Sequence, residues 1–240
     1  MNEVILLLSV PLIFGAALLF YRFFGKAGLY CFAAVATVAA NIEVLMLIEA
    51  FSLEMTLGNI LFAATFLVTD ILSELEGKAA AKRCVTLSIA VAVFFLLISL
   101  TWLCYQPAAG DTVTPALQKV FSRTPRMILA GLSVFAVVQY LDIRLYHRWW
   151  RLTEGLCGDR QRFLWLRNNG STLISQFFNA VLFNVAAFAG TYPAGTLISV
   201  IVATYLIYFA LTVADTPFLY LAKRLQREKT EDRREVGNQI

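Results

Sequence analysis

Long apolar stretches, separated by short polar connections, run along almost the whole chain. Each stretch reaches about the 20 mostly apolar residues that a helix needs to span a bilayer. The predicted spans are Val4–Phe24, Gly28–Ala50, Leu57–Glu76, Cys84–Tyr105, Arg126–Tyr146, Ser171–Gly190 and Ala194–Ala222. This pattern predicts an all-α fold, a polytopic membrane helix bundle of about six or seven transmembrane helices.

The pattern changes after the last span. Residues 223–240 mix charges of both signs with few apolar side chains, which is typical of a disordered segment. We therefore divide the chain into a single transmembrane domain, residues 1–222, and a disordered cytoplasmic tail, residues 223–240.

Lys and Arg are concentrated in every second connection. They follow the first, third and fifth predicted spans, whereas the intervening connections carry acids or little charge, with Lys119, Arg123 and Arg126 as exceptions. The basic residues in these connections include Arg22, Lys26, Lys78, Lys82, Arg83, Arg144, Arg148 and Arg151. Because basic loops stay in the cytoplasm, we expect a multi-pass membrane protein with its N-terminus outside and its C-terminus inside.

The composition supports a membrane protein and narrows its chemistry. The mean hydropathy is +0.70 and 15% of residues are charged, against about 25% in soluble domains. The net charge of +4 comes from residues beside the spans, so it does not indicate nucleic-acid binding. Four cysteines without a CxxC pair and a single histidine, His147, predict neither a metal site nor a cofactor.

Two acids share one face of the third predicted span. Asp70 and Glu74 are four residues apart and are therefore neighbours on a helix surface. A charged residue inside a bilayer costs roughly 2.5–3.5 kcal/mol on insertion scales, and such residues usually mark transport or binding sites. The face suits a proton relay or a clamp for a cationic or amide-bearing ligand. For Glu74, an ion pair with Lys78 in the headgroup region is the alternative.

The fifth predicted span carries a second polar pair. Gln139 and Asp142 are three residues apart, and Gln139 suits either an interhelical hydrogen bond or a ligand contact. For Asp142 the alternative is an interfacial ion pair with Arg144 or another basic residue. Thr124-Pro125 makes a favourable helix start, but it does not explain the neighbouring Arg126, which is a candidate ligand contact.

Two further spans carry candidate residues. In the sixth, Ser175, Gln176 and Asn179 continue a polar stripe after a predicted N-cap at Asn169 or Ser171; interhelical packing is the alternative role for this stripe. In the second, Asn41 and Glu43 are only two residues apart, so at most one of them can face a common cavity.

Several of these segments, in this order, resemble the queuosine-precursor transporter family, also called the vitamin-uptake-transporter-like (VUT) family. The most specific are TDILSE at 69–74 and RNNGST at 167–172 with SQ at 175–176. Weaker support comes from ANIEV at 40–44, TPR at 124–126 and QYLD at 139–142. The chain departs from the family pattern at Glu76, where Tyr is frequent, and at Asn179, where Asp is frequent.

The resemblance implies a transporter rather than an enzyme, importing a 7-deazaguanine (preQ0, preQ1 or queuine) for queuosine synthesis in tRNA by alternating access. Its partners would be the nucleobase and the lipid bilayer, and a homodimer is compatible with it. A guanine-like edge offers donors to carboxylates and an acceptor to amide or guanidinium groups. The expected substrate-binding residues are Asn41, Glu43, Asp70, Glu74, Arg126, Gln139, Asp142, Gln176 and Asn179.

Three alternatives remain open at this point. The chain could be the substrate-binding membrane subunit of a multi-component vitamin or nucleobase transporter, which would need a separate ATPase. It could be an intramembrane enzyme that uses Asp70 and Asp142 as an acid pair. It could also be a scaffold whose polar residues only hold helices together.

Overall fold

A computed structural model of the chain describes residues 1–51, 53–122, 125–157, 163–188, 190 and 193–237. The all-α bundle predicted from the sequence is confirmed, with one small β-hairpin in addition. Within the described residues, five helices (α1, α3, α5, α6 and α7) are long and apolar enough to cross a membrane. The elements in chain order are α1 (Asn2–Glu43), β1 (Leu47–Ala50), β2 (Leu53–Thr56), α2 (Asn59–Leu75), α3 (Lys78–Trp102), α4 (Val113–Ser122), α5 (Pro125–Cys157), α6 (Leu164–Phe188) and α7 (Ala194–Gly237).

The first helix, α1, is folded back on itself at Gly25. There the backbone has φ 61° and ψ −145°, a conformation that glycine adopts without steric cost. The rings of Phe20 and Phe32 lie 5.8 Å apart, whereas twelve residues of straight helix would separate them by about 18 Å. A Cβ atom on Gly28 would collide with the backbone carbonyl of Phe20. The two arms, residues 2–24 and 26–43, therefore pack directly together and correspond to the first two predicted spans.

The second arm is shorter than predicted. Its helix ends at Glu43 rather than Ala50, and β1 and β2 follow as an antiparallel pair. Ala50 and Met55 are both buried, because alternate residues of a strand point to one face. The last four residues of the predicted span Gly28–Ala50 thus form strand β1 rather than helix. The carbonyl of Glu49 accepts a 2.8 Å hydrogen bond from the side chain of Asn2, which places the start of α1 beside the hairpin.

The helices run back and forth between two ends of the bundle. At the basic end, Lys26 lies 4.0 Å from Glu76, and the Gln226 amide donates to the carbonyl of Leu75. At the hairpin end, α2 begins close to the second arm of α1, where a Cβ on Gly58 would lie 2.7 Å from a backbone oxygen of that arm. With the two arms of α1 counted separately, seven rods alternate in direction, in agreement with the seven predicted spans.

Three helix boundaries differ from the prediction. α5 continues past Tyr146 to Cys157, and α7 continues to Gly237 through the segment expected to be a disordered tail. α6 begins at Leu164, so the predicted N-cap at Asn169 or Ser171 is wrong. Inside the helix, the Ser171 hydroxyl donates to the carbonyl four residues earlier at 2.8 Å, which is a common arrangement for serine within a helix. The RNNGST segment is therefore helical.

α2 lies at the centre of the bundle and has packing contacts with α1, α3, α5 and α7. Almost every residue from Asn59 to Ser73 is buried. A helix of 17 residues is only about 25 Å long. Its surface is covered by the neighbouring helices rather than by lipid. Its two acids, Asp70 and Glu74, therefore face protein.

Candidate functional site

Four helices bring polar side chains together in the half of the bundle nearest the basic end. Their side chains form two adjacent groups: α2, α5 and α7 contribute to both, and α6 contributes to one. The group closer to the basic end, which we call the ion-pair cluster, consists of Glu74, Tyr146, Arg167 and Lys223. The deeper group, which we call the carboxylate cluster, consists of Asp70, Asp142 and Asp215.

In the ion-pair cluster, every partner converges on Glu74. The Arg167 Nη2 atom lies 3.0 Å from Oε1 and 2.9 Å from Oε2 of Glu74. Lys223 Nζ donates to Oε1 at 2.9 Å, and the Tyr146 hydroxyl donates to Oε2 at 3.0 Å. The side chains of Glu74 and Arg167 are 4% and 0% exposed, and Arg167 stacks over the Trp150 ring at 4.6 Å. The acid is thus fully hydrogen-bonded and tied to three other helices.

The three acids of the carboxylate cluster are at most 1% exposed. Thr172 Oγ1 donates to Asp70 Oδ2 at 3.1 Å, and Asn168 Nδ2 donates to Asp215 Oδ1 at 2.7 Å. Asp70, Asp142 and Asp215 lie close enough to interact electrostatically with one another. Helices far apart in sequence therefore place three acids in one buried volume.

Half of the carboxylate oxygens of this cluster, and the side-chain oxygen of the neighbouring Asn168, lack donors within the described part of the chain. Among the described residues, no hydrogen bond reaches Asp70 Oδ1, either oxygen of Asp142, or Asn168 Oδ1. The hydroxyls of Ser171 and Ser175 lie beside Asp142 but donate to main-chain carbonyls. Because buried acceptors without donors are uncommon in native proteins, the arrangement suits a ligand that brings donors of its own.

Both ion pairs that the sequence offered as alternatives are wrong. Glu74 pairs with Arg167 and Lys223 rather than with Lys78. Asp142 is fully buried while Arg144 is exposed, so these two side chains do not meet at the membrane interface. The reason is the extra length of α5 and α6, which places basic and polar side chains of α6 opposite the acids.

Gln139 is already satisfied by the protein. Its Nε2 donates to Thr65 Oγ1 at 2.8 Å, and its Oε1 accepts from Thr69 Oγ1 at 3.1 Å. The side chain is 0% exposed. Its observed contacts match the interhelical role considered from the sequence, which joins α5 to α2.

Gln176 and Asn179 lie farther along α6 toward the hairpin end. Asn179 Nδ2 donates to Gln176 Oε1 at 3.1 Å, and both residues are buried. No acceptor among the described residues reaches Gln176 Nε2, so this amide offers a buried donor one helical turn beyond Thr172. Asn179 also contacts the Tyr208 hydroxyl of α7.

The remaining expected residues lie apart from the two clusters. Asn41 is buried, and its Oδ1 would lie 3.1 Å from a Cβ atom added to Gly131 of α5. Gly131 precedes Asp142 by eleven residues, which is about 16 Å of helix, so Asn41 lies far from the carboxylate cluster. Glu43 is half-exposed at the very end of α1. The predicted span continued to Ala50, so the earlier end of the helix explains why Glu43 lies at a helix terminus. The side chain of Arg126 lies outside the described residues.

Sequence reasoning missed several residues of the clusters. Arg167 and Asn168 were assigned to a connection because the helix start was placed too late. Asp215 was not among the expected substrate-binding residues, although helical spacing aligns it with Tyr208 and Thr212. The signal available was an acid two residues before Pro217, inside the last apolar span.

Comparison with known proteins identifies the family. The family model described as putative vitamin uptake transporter matches residues 56–222. The chain is 38% identical over 208 residues to the probable queuosine precursor transporter of Bacillus subtilis (strain 168). The aligned region covers 87% of this chain and 89% of that relative. No solved structure matches the chain. The chain belongs to the vitamin uptake transporter family, and it is a multi-pass membrane transporter rather than an enzyme.

Proposed function

We propose that this member of the vitamin uptake transporter family imports a queuosine precursor, a 7-deazaguanine such as preQ0, preQ1 or queuine, across the bacterial inner membrane. The Bacillus subtilis relative is named a probable queuosine precursor transporter, which supports this class of cargo. The observation that carries the proposal is the group of buried acceptors on Asp70, Asp142 and Asn168 that lack donors among the described residues.

The chemistry of a 7-deazaguanine complements these atoms. Its N1–H and exocyclic NH2 groups lie side by side and can donate together to one carboxylate, and charge-assisted bonds of this kind are about twice as strong as neutral ones. We assign this contact to Asp142, both of whose oxygens are available, and the O6 acceptor to Gln176 Nε2. A base without the donor pair would leave the carboxylate unpaired, and sites of this kind reject such analogues by about 10⁴-fold or more.

A cavity at the basic end supports transport by alternating access. It has a volume of about 470 Å³ and is lined in part by Ser73, Glu74, His147 and Trp150. The Glu74 carboxylate faces this cavity, whereas Asp70 lies one turn deeper and is 1% exposed. The ion-pair cluster therefore separates the carboxylate cluster from the cavity, and we propose that its rearrangement admits the cargo to this end.

The orientation of the protein follows from charge. Lys26, Lys78 and Lys223 all lie at the basic end, and basic residues remain on the cytoplasmic side. We propose that the basic end faces the cytoplasm, so that the N-terminus is outside and the cavity beside the ion-pair cluster is the exit for imported cargo.

Queuosine content of tRNA tests the function in cells. The host lacks precursor synthesis and its own transporter, and it receives preQ0, preQ1 or queuine separately at low concentration. Expression of this protein should restore queuosine with at least one precursor, whereas Asp70→Asn should not, with equal protein in the membrane. The matched control, Glu76→Gln, changes a partly exposed acid outside both clusters and should restore queuosine fully. Absence of restoration by the natural chain with every precursor would contradict the proposal.

Purified protein in liposomes separates an autonomous transporter from a substrate-binding subunit. Saturable uptake of the restoring precursor without any added ATPase is the expected result. Binding without uptake would instead indicate the multi-component alternative.

A further inference from the structure

The buried charges near the basic end do not balance. Glu74 and the three acids of the carboxylate cluster are at most 4% exposed, and they face two bases, Arg167 and Lys223. Four acids against two bases leave two negative charges among the described residues of this region. Both bases are bound to Glu74, so the imbalance falls on the carboxylate cluster.

The surroundings of the acids within the carboxylate cluster also indicate a missing positive charge. Asp70 and Asp142 are both buried and close enough to interact electrostatically, yet no donor among the described residues reaches either oxygen of Asp142. Two ionised carboxylates in a site without water repel each other, whereas one shared proton joins them by a hydrogen bond. Asn168, which is buried, turns its Nδ2 toward Asp215 and keeps an unpartnered Oδ1 in the same region. This atom is a further acceptor for a cationic or donor-bearing ligand.

We infer that the carboxylate cluster takes up one positive charge with the cargo in each transport cycle, and that Asp215 of α7 is a binding residue for that charge. The charge is a proton when the cargo is a neutral 7-deazaguanine, and it is the ammonium group when the cargo carries an aminomethyl substituent. In both cases a carboxylate of the cluster accepts the donor, and no covalent bond to the cargo forms or breaks. This inference rests on the proposed function.

The groups around the carboxylate cluster do not supply a positive charge to its acids. From α6, Thr172, Ser171 and Ser175 present neutral hydroxyls, and Asn168 presents a neutral amide. From α2 and α5, Glu74 and Tyr146 face Arg167 and Lys223 in the ion-pair cluster. The fixed positive charges are thus committed to Glu74, one helical turn away from the acids that lack a counter-charge.

Transport in liposomes with an internal pH dye tests the inference. Purified full-length protein is supplied with the neutral nitrile form, preQ0, or with the aminomethyl form, preQ1, and the membrane potential is set by a potassium gradient and valinomycin. Uptake of the nitrile should acidify the lumen and should increase several-fold when the interior is negative. Uptake of the aminomethyl form should respond equally to the potential without acidifying the lumen, because the ammonium replaces the proton.

Two variants locate the charge. Asp215→Asn retains an oxygen that can accept from Asn168, so the fold should persist, but the response of uptake to the membrane potential should fall at least tenfold. Glu76→Gln, an acid outside both clusters, should retain the full response. Thermal unfolding of both variants in detergent verifies that they are folded.

The outcomes separate the inference from the proposed function. Saturable nitrile uptake that neither acidifies the lumen nor responds to the potential would overturn the inference and leave the import function intact. An unchanged potential response in folded Asp215→Asn would overturn the role of Asp215. Absence of saturable uptake of both cargoes by the natural protein would overturn the function and the inference together.

Discussion

Glu74 and Asp142 are both buried acids in the same region of the bundle, yet their surroundings are opposite. Glu74 receives hydrogen bonds from Arg167, Lys223 and Tyr146. Asp142 receives none from the described residues. A buried charge with all its partners holds helices together, whereas a buried charge without partners lowers stability unless something else binds it. We infer from this comparison that an acid without hydrogen-bond partners is a better candidate for a binding residue than an acid that is only deeply buried.

The same contrast appears between two buried amides. Gln139 uses both ends of its side chain on Thr65 and Thr69. Gln176 uses its oxygen on Asn179 and leaves its nitrogen without an acceptor among the described residues. We therefore place Gln139 with the groups that maintain the fold and Gln176 with the groups that contact cargo.

The strongest challenge to this comparison is removal of Glu74. Glu74→Ala should lower the free energy of unfolding by about 3–5 kcal/mol, because it leaves the buried Arg167 and Lys223 without their carboxylate. Glu76→Ala is the matched control, since its 4.0 Å contact with Lys26 is exposed and worth about 0–1 kcal/mol. Thermal unfolding in detergent measures both variants. Equal losses for the two would show that the ion-pair cluster does not hold the helices together.

Asp142→Asn should have the opposite signature. The protein loses no hydrogen bond, and the new amide can donate to Asp70, so the unfolding temperature should stay the same or rise. Uptake at low cargo concentration should fall by roughly 10- to 150-fold, which corresponds to a charged hydrogen bond worth about 1.5–3 kcal/mol. Undiminished uptake by a well-folded variant would remove Asp142 from the site.

The two glutamines sharpen the comparison at a smaller scale. Gln139→Leu removes two interhelical hydrogen bonds and should reduce stability by about 1.2 kcal/mol, since such bonds in membranes average about 0.6 kcal/mol each. Gln176→Leu should leave stability nearly unchanged and raise the cargo concentration needed for half-maximal uptake. The assignment fails if the two variants exchange these effects.

The smallest expected effect concerns an acid outside the spans. Asp111 accepts hydrogen bonds from the Thr114 side chain and from the backbone N–H groups of Val113 and Thr114, and these lower the pKa of Asp111 below its usual value. Because the folded pKa is lowered, the contribution to stability is complete above about pH 4, the usual pKa range of aspartate, and is lost as the pH falls through the folded pKa.

Hydrogen exchange of the α4 amides measures this effect. Protection in the natural protein should decrease between pH 5 and pH 3, after correction for the intrinsic exchange rates, and Asp111→Asn should abolish that dependence. A natural protein with the same protection at both values would show that Asp111 does not stabilise the start of α4.

The fold was largely predictable because apolar length and loop charge both repeat along the chain. Seven rods, their alternating direction and the polar faces of α2, α5 and α6 follow from those two signals. The hairpin at β1 and β2 was hidden, since residues 47–50 are apolar enough to prolong the second predicted span to Ala50. The start of α6 was placed late because Asn169 and Ser171 are good helix caps in water, whereas here they lie inside a helix packed against others.

The site was predictable in its residue types but not in its pairings. Asp70, Asp142 and Gln176 stand out as polar groups at membrane depth. That Arg167 binds Glu74, or that Asp215 approaches Asp142, depends on contacts between helices far apart in sequence. One-dimensional spacing orders residues on one helix face and carries no information about which face meets which.

Ligand-induced stabilisation tests the central claim most directly, because a cargo that binds only the folded protein raises its unfolding temperature in proportion to RT ln(1 + [L]/Kd). The natural protein and Asp142→Asn are unfolded in detergent with preQ0, with 7-deazaadenine, which lacks the guanine pair of donors, and without ligand. We predict that preQ0, but not 7-deazaadenine, raises the unfolding temperature of the natural protein. Neither compound should raise the unfolding temperature of Asp142→Asn. An equal rise in both proteins, or an equal rise with 7-deazaadenine, would contradict the assignment of the unpaired carboxylates to cargo recognition.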